Sequence, residues 1–253
     1  MEDFLKPTYL VFDLETIPDG DLIRKTSDDE TAEKYLKGEK FPPFIYHIPI
    51  TLGILIADGK RVYLYKVYHF KKPKPHELVG IFFKNLRRAQ LLCGKNSSGL
   101  RERNGNLLSF PILVSHNGSR FDLPVLTAHA LKHLEKLDGE AREGLKLFLR
   151  EKNYEDHRAA KYTKKYTDFA VDLYDYLPTG LKKLAIFFGF KETFEVDGSK
   201  VASLYDEGKH GLIAEYCAED VLITLKVLNR ILAAKGLPTV AEPSAPPQVK
   251  LFD

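Results

Sequence analysis

The segment Tyr9-Leu-Val-Phe-Asp-Leu-Glu-Thr-Ile17 sets two acids, Asp13 and Glu15, into an otherwise apolar run. In a β-strand, residues two apart project from the same face, so the two carboxylates share one space. Like charges held together away from water repel each other and lose solvation, and a divalent cation is the simplest group that offsets both penalties. Taken alone, the pair is also what a solvated strand end looks like. A second exception lies in Gly208 to Lys235, which reads as one long helix stopped by Gly236 and Pro238. At about 100° per residue its apolar arc passes through Ile213, Cys217, Thr224, Val227, Leu228 and Ile231, with Glu215, Glu219, Lys226, Asn229 and Arg230 on the other side. Asp220 falls in the middle of the apolar arc. Tyr216, one turn earlier, lies about 40° away around the helix, so its phenol projects into the same space as the Asp220 carboxylate. The third exception is Ser115-His-Asn-Gly-Ser-Arg-Phe-Asp-Leu-Pro-Val-Leu126, which follows the apolar run Phe110 to Val114 and reads as strand, tight turn, helix. Asp122 sits there at an N-cap position, with Pro124 in the first turn. A cap explains Asp122 alone, and a backbone-bonded buried acid explains Asp220 alone.

Together the three segments supply four acids, Asp13, Glu15, Asp122 and Asp220, with Tyr216 four residues before the last. That set resembles the DEDD superfamily of 3′–5′ exonucleases in order as well as type. D-x-E lies on the first strand, Asn117-x-x-x-Phe121-Asp122 forms the second motif, and Tyr216-x-x-x-Asp220 lies on the last helix. Tyrosine marks the tyrosine-bearing branch, because the histidine branch would place His where this chain has Glu215. Within that branch the chain is similar to predicted stand-alone exonucleases related to the proofreading domain of B-family DNA polymerases. The stretch Phe41-Pro-Pro-Phe-Ile-Tyr-His-Ile-Pro-Ile-Thr-Leu-Gly53 is similar to what that group carries after its first motif.

The resemblance implies an RNase H-like α/β fold and a metal-dependent hydrolase. Phosphodiester hydrolysis needs a nucleophile next to an anionic phosphate and charge compensation on the attacking and leaving oxygens, which a pair of metal ions can supply. Oxygen ligands suit Mg²⁺ or Mn²⁺, so two such ions are the expected cofactors. By the same resemblance, Asp13 would bridge both ions, Glu15 and Asp220 would complete the nucleophile-side ion, and Asp122 would hold the other. Tyr216 would orient the attacking water, since a phenol with an ordinary pKa near 10 is a poor base at neutral pH. Thr16, Ile17, Asn117 and Phe121 are the expected contacts to the terminal nucleotide. The expected substrate is single-stranded nucleic acid, DNA before RNA, in repair or proofreading. A trimming enzyme for RNA and a nucleic-acid-binding module with little nuclease activity are the alternatives.

The elements that must position these residues can be read coarsely. Strands are expected at Tyr9 to Leu14, Ile50 to Ala57 and Arg61 to Phe70, the last two joined by a hairpin at Asp58-Gly59-Lys60. A helix over His76 to Leu92, a strand over Ile112 to Ser115, a helix from Leu123, a strand around Phe169 to Leu173 and a helix from Thr179 follow. The result is a mixed central sheet flanked by helices, with three antiparallel strands first and parallel ones after. Asp172 and Asp175 near the late strand read as structural acids.

With 253 residues and 44% hydrophobic content the chain can bury a full core, and residues 1–236 read as one exonuclease domain. No apolar run spans a membrane and Met1-Glu-Asp-Phe-Leu-Lys does not open like a signal peptide, so no membrane partner and a cytoplasmic protein are expected. Cys93 and Cys217 lack metal-type spacing and read as core residues rather than a disulfide. A net charge of +3 is mild, so any nucleic-acid footprint must be local. Asp19 to Lys40 reads as a solvated helix or loop, and Gly94 to Asn106 as a flexible loop. In the long charged segment Glu135 to Asp168, basic residues interleave with Tyr154, Tyr162 and Tyr166, a pattern that could grip a strand or simply be solvated. Residues 237–253 read as a Pro-rich tether ending in Gln248-Val-Lys-Leu-Phe-Asp253. Gln248, Leu251 and Phe252 resemble the short peptide by which bacterial replication and repair proteins dock on the sliding clamp. The same two apolar residues could instead fold back onto the domain.

Overall fold

The computed structural model describes residues 7–96, 110–149, 162, 169–193 and 196–253. In chain order the elements are β1 (Tyr9–Pro18), α1 (Gly20–Thr26), α2 (Asp29–Leu36), β2 (His47–Ala57), β3 (Val62–Phe70), α3 (Pro75–Asn96), β4 (Ile112–Ser115), α4 (Asp122–Lys132), α5 (Gly139–Leu149), β5 (Ala170–Asp172), α6 (Leu181–Phe187), α7 (Val201–Asp206), α8 (His210–Ala234) and β6 (Gln248–Phe252). The six strands lie in the order β5-β4-β1-β2-β3-β6. β1, β2 and β3 are antiparallel, whereas β4 runs parallel to β1, β5 to β4 and β6 to β3. This is the mixed α/β sheet flanked by helices expected of an RNase H-like fold.

The period of two along β1 sorts its side chains between two cores. Leu10, Phe12 and Leu14 join a cluster completed by Phe82 and Phe83 of α3, Leu126 of α4 and Phe148 of α5. Tyr9 and Val11 face the other way, into a cluster with Leu184 of α6 and Val221 and Leu228 of α8. Asp13 and Glu15 continue that second row. The alternation that buries β1 on both faces therefore delivers both acids to the side covered by α8. Asp58 closes the β2–β3 hairpin, its Oδ1 accepting from the N–H groups of Lys60 at 2.7 Å and Arg61 at 3.0 Å.

Several expectations change. β1 and α3 are longer than the apolar patterns suggested; Gly94, read as the start of a flexible loop, is still within α3, and residues from 97 to 109 lie outside the described ones. Asp19 to Lys40 carries α1 and α2, capped by Asp19 and Asp28. Tyr162 is no stacking residue: it is 1% exposed, and its hydroxyl donates to the Pro111 carbonyl at 3.0 Å. Tyr154 and Tyr166 lie outside the described residues. The largest difference is the C-terminal segment, which is not a free tether. Val240 is buried and exchanges two hydrogen bonds with Asn229, the Ala241 N–H donates to the Asp58 carbonyl, and β6 adds to the outer edge of β3. Phe252 stacks on Phe70 with ring centroids 4.7 Å apart. An unpaired strand edge and an apolar face on β3 explain why the chain folds back. Among the described residues no helix is long and apolar enough to cross a membrane, and the two cysteines are buried and form no disulfide.

Candidate metal-dependent active site

Asp13 and Glu15 meet α8 because two glycines let backbone come close. Gly53 pairs with Asp13 across the β1–β2 ladder. A Cβ on Gly53 would stand 2.7 Å from Val221 Cγ2 and 3.1 Å from Cys217 Sγ, so only hydrogen there allows α8 to lie against the sheet. Gly118 does the same for the β4–α4 turn, where a Cβ would meet Ser115 Oγ at 2.5 Å and Asp122 Oδ2 at 3.2 Å. The turn is held from β5. Asp172 Oδ1 accepts from the Asn117 N–H at 2.7 Å, its Oδ2 from the Ser119 N–H at 3.0 Å, and Ser119 Oγ also donates to it. Asn117 itself is left-handed, with φ of 63°, a conformation Asn tolerates better than most residues. Asp172 is thus structural, as expected, and so is Asp175, which pairs with Arg120 at 3.0 Å.

Asp122 differs from the expected cap. The cap position is occupied by Phe121 without a side-chain hydrogen bond, and Asp122 is the first helical residue, 6% exposed, with its carboxylate in the site. Asp220 is likewise 6% and Glu15 8% exposed. The four acids influence one another. Burial pushes Asp13 up to about 6. Burial and the charges of Asp13, Asp220 and Asp122 hold Glu15 well above the usual carboxylate range. Burial and then the charge of Asp13 do the same to Asp122 and Asp220. Two oxygens, Asp13 Oδ2 and Asp220 Oδ1, are buried with no hydrogen-bond partner among the described residues. Buried carboxylates that repel one another and keep unsatisfied oxygens are the donor set that a divalent cation fits.

Tyr216 is half-buried facing Asp220. Burial and the acid charges push its phenol further above its ordinary value, so it stays protonated. Lys182 of α6, not anticipated from sequence, lies with Nζ 4.5 Å from the Tyr216 ring centroid and donates to the Val196 carbonyl. Burial lowers its ammonium while Asp220, Asp197 and Glu15 oppose that shift. It braces the Tyr216 ring. Asp13, Glu15 and Cys217 place ligand-type atoms within 4.8 Å of one another. Burial and the neighbouring acids push the Cys217 thiol well up, and its Sγ lies 3.6 Å from the Asp13 carbonyl, so it packs and donates rather than competing for a hard cation.

The expected nucleotide contacts divide. Phe121 is half-buried against His47, with centroids 4.7 Å apart. The Thr16 hydroxyl is 2.8 Å from His47 Nδ1. Ile17 is half-buried against an apolar cluster of Ile50, Val201 and Ile213, which Tyr216 also borders. Gln248, Leu251 and Phe252 lie apart from the acids, on the strand at the outer edge of β3. Lys182, Gly53 and Gly118 carry no local signal in sequence that ties them to the site; only Gly118, inside the Asn117-to-Asp122 turn, stands close to a residue singled out there.

A family model described as a predicted 3′-5′ exonuclease related to the exonuclease domain of PolB matches residues 106–242, just over half of the chain. The matched span contains Asn117, Phe121, Asp122, Tyr216 and Asp220 but begins after Asp13 and Glu15, which the fold brings to the same place. No curated protein matches the chain. The chain belongs to the family of predicted 3′-5′ exonucleases related to the exonuclease domain of PolB, and it is a nuclease.

Proposed function

We propose that the chain removes nucleotides from single-stranded 3′ ends, with DNA as its substrate, as a member of the tyrosine-bearing DEDD branch, and that it serves repair or proofreading. The observation that carries this reading is the gathering of Asp13, Glu15, Asp122 and Asp220, with two buried unsatisfied oxygens, beside Tyr216. Asp13, Glu15 and Asp220 would hold one cation of the Mg²⁺ or Mn²⁺ kind, and Asp13 and Asp122 a second. Such ions, when bound, compensate charge on the phosphate and make water a competent nucleophile near neutral pH. Tyr216, kept protonated and braced by Lys182, positions that water and does not take its proton. The apolar surroundings of Ile17 and Ile213 exclude bulk water from the nucleophile side. Gln248, Leu251 and Phe252 form a sliding-clamp ligand, and its pairing with β3 means that docking requires the strand to be released.

The test is a time course on matched 5′-labelled single-stranded DNA and RNA oligonucleotides with Mg²⁺, Mn²⁺ or chelator, beside Asp13→Ala. The expected result is a metal-dependent ladder shortening from the 3′ end, faster on DNA, and at least about 10³-fold slower in the variant, the scale of losing a metal ligand in such chemistry. Cleavage that persists in Asp13→Ala or in chelator would overturn the assignment.

A further inference from the structure

We infer that Phe41 is a base-stacking residue of the substrate path, standing where the strand approaches the four acids; this rests on the exonuclease reading above. Phe41 is 71% exposed, the second most exposed large apolar side chain among the described residues. Its ring is nonetheless fixed from below. It lies 4.9 Å from the His47 ring at 32° and 5.3 Å from Phe121, while His47 and Phe121 meet edge-on at 89°. His47 is a buried pillar. Its Nε2 is 3.1 Å from the Pro42 carbonyl, which can only accept, so Nε2 carries the hydrogen. With a neutral ring, favoured by burial, Nδ1 accepts from the Thr16 hydroxyl at 2.8 Å. The His47 carbonyl is in turn met by His129 Nε2 at 2.8 Å. The loop that bears Phe41 is therefore tied to β1 and α4 at the two points where the acids begin, since Thr16 follows Glu15 and Phe121 precedes Asp122.

An aromatic face held open on a rigid support, one residue removed from the reacting centre, has the chemistry of a nucleobase platform. Stacking is sequence-tolerant because every base has a π-face. Charge agrees: Phe41 to Pro49 contains no acid, and the exposed Lys40 precedes it. Phe121 directly precedes Asp122 and has the exposed Phe41 ring as a neighbour, so the platform adjoins the residues that carry the acids.

The proposal is tested in Asp13→Asn protein, so that binding is read without cleavage, using single-stranded oligonucleotides with 2-aminopurine placed in turn at the terminal and the adjacent 3′ position. Adding Phe41→Ala should weaken affinity about tenfold and remove the fluorescence quenching at one of the two positions, the scale expected for one lost base stack. Phe41→Trp should restore both. Oligonucleotides abasic at that position should bind with and without Phe41 equally. Affinity of the Phe41→Ala protein equal to that of its Asp13→Asn parent on the normal oligonucleotides, or an equal loss on abasic ones, would overturn the assignment, the second showing a role in holding the loop. Failure of the exonuclease reading is separable: it appears as no ladder from the unsubstituted protein, whatever the binding data show.

Discussion

At the residue scale the candidate site is a set of crowded carboxyls, two of whose buried oxygens find no hydrogen-bond partner among the described residues. Carboxyls whose folded-state pKa values are raised bind more protons folded than unfolded. They therefore stabilise the metal-free protein fully below about pH 4, and that contribution is lost as pH rises through the folded values, about 6 for Asp13 and raised well above the usual carboxylate range for Glu15, Asp122 and Asp220. In chelator, melting temperature should fall on the order of 5 °C between about pH 5 and pH 8. Mg²⁺ or Mn²⁺ should raise it strongly at the higher pH and little at the lower, because binding requires ionised carboxylates. Thermal scans with and without chelator at both pH values check this, and a metal-free curve flat with pH would mean the acids are already satisfied by the protein. The type and order of the acids were legible in sequence. Lys182 was not, because one lysine among 38 lysines and arginines carries no periodic signal and reaches Tyr216 only through the packing of α6 on α8.

At the element scale the candidate site depends on the close approach of α8 to β1 and β2. Gly53→Ala would drive a methyl into Val221 and Cys217, forcing α8 off the sheet and carrying Tyr216 and Asp220 away from Asp13. Overpacking of this kind costs about 1–3 kcal/mol, and misplacement by about 1 Å can cost about 10²-fold in rate. The expected phenotype is a lower melting temperature together with a fall in kcat larger than any rise in KM. Gly139→Ala, with nothing within 4 Å of the added carbon, serves as the control and should change neither. Loss of stability without loss of kcat would show that the helix tolerates the shift. The helix itself was readable, since the apolar arc of α8 and its stop at Gly236 are local features. The need for glycine at 53 was not, because the colliding atoms lie more than 160 residues away in the chain.

For the whole molecule the open question is the edge that β6 covers. Val249 and Leu251 are exposed and only Phe252 packs, with an ion pair from Lys71 to Asp253 at 2.7 Å that is too exposed to contribute much. Deleting Gln248 to Asp253 should lower the melting temperature by only about 2–4 °C, roughly 1 kcal/mol for a chain of this size, and leave oligonucleotide cleavage unchanged. If the segment also docks on a clamp, a free peptide of the same sequence should bind more tightly than the full chain, because the chain must first give up its pairing with β3. Titration of both against purified clamp decides it. Equal affinity would show that release costs nothing, and no binding by either would remove the clamp from the account.

What could be read from one dimension is what repeats with a local period. Alternation in Tyr9 to Ile17 put Asp13 and Glu15 on one face, the helical arc isolated Asp220 with Tyr216, and the turn after Val114 pointed to Asp122. Each of these patterns is written in neighbouring residues, because backbone geometry is local. Four other matters were settled only by packing. These are the freeing of Asp122 from a capping role, the burial of Tyr162, the aromatic support under Phe41, and the return of Gln248 to Phe252 as a strand. Each depends on which surface meets which across long stretches of chain. A Pro-rich composition and an exposed phenylalanine hold no record of the partner, whether an open sheet edge or a histidine pillar, that the folded chain supplies.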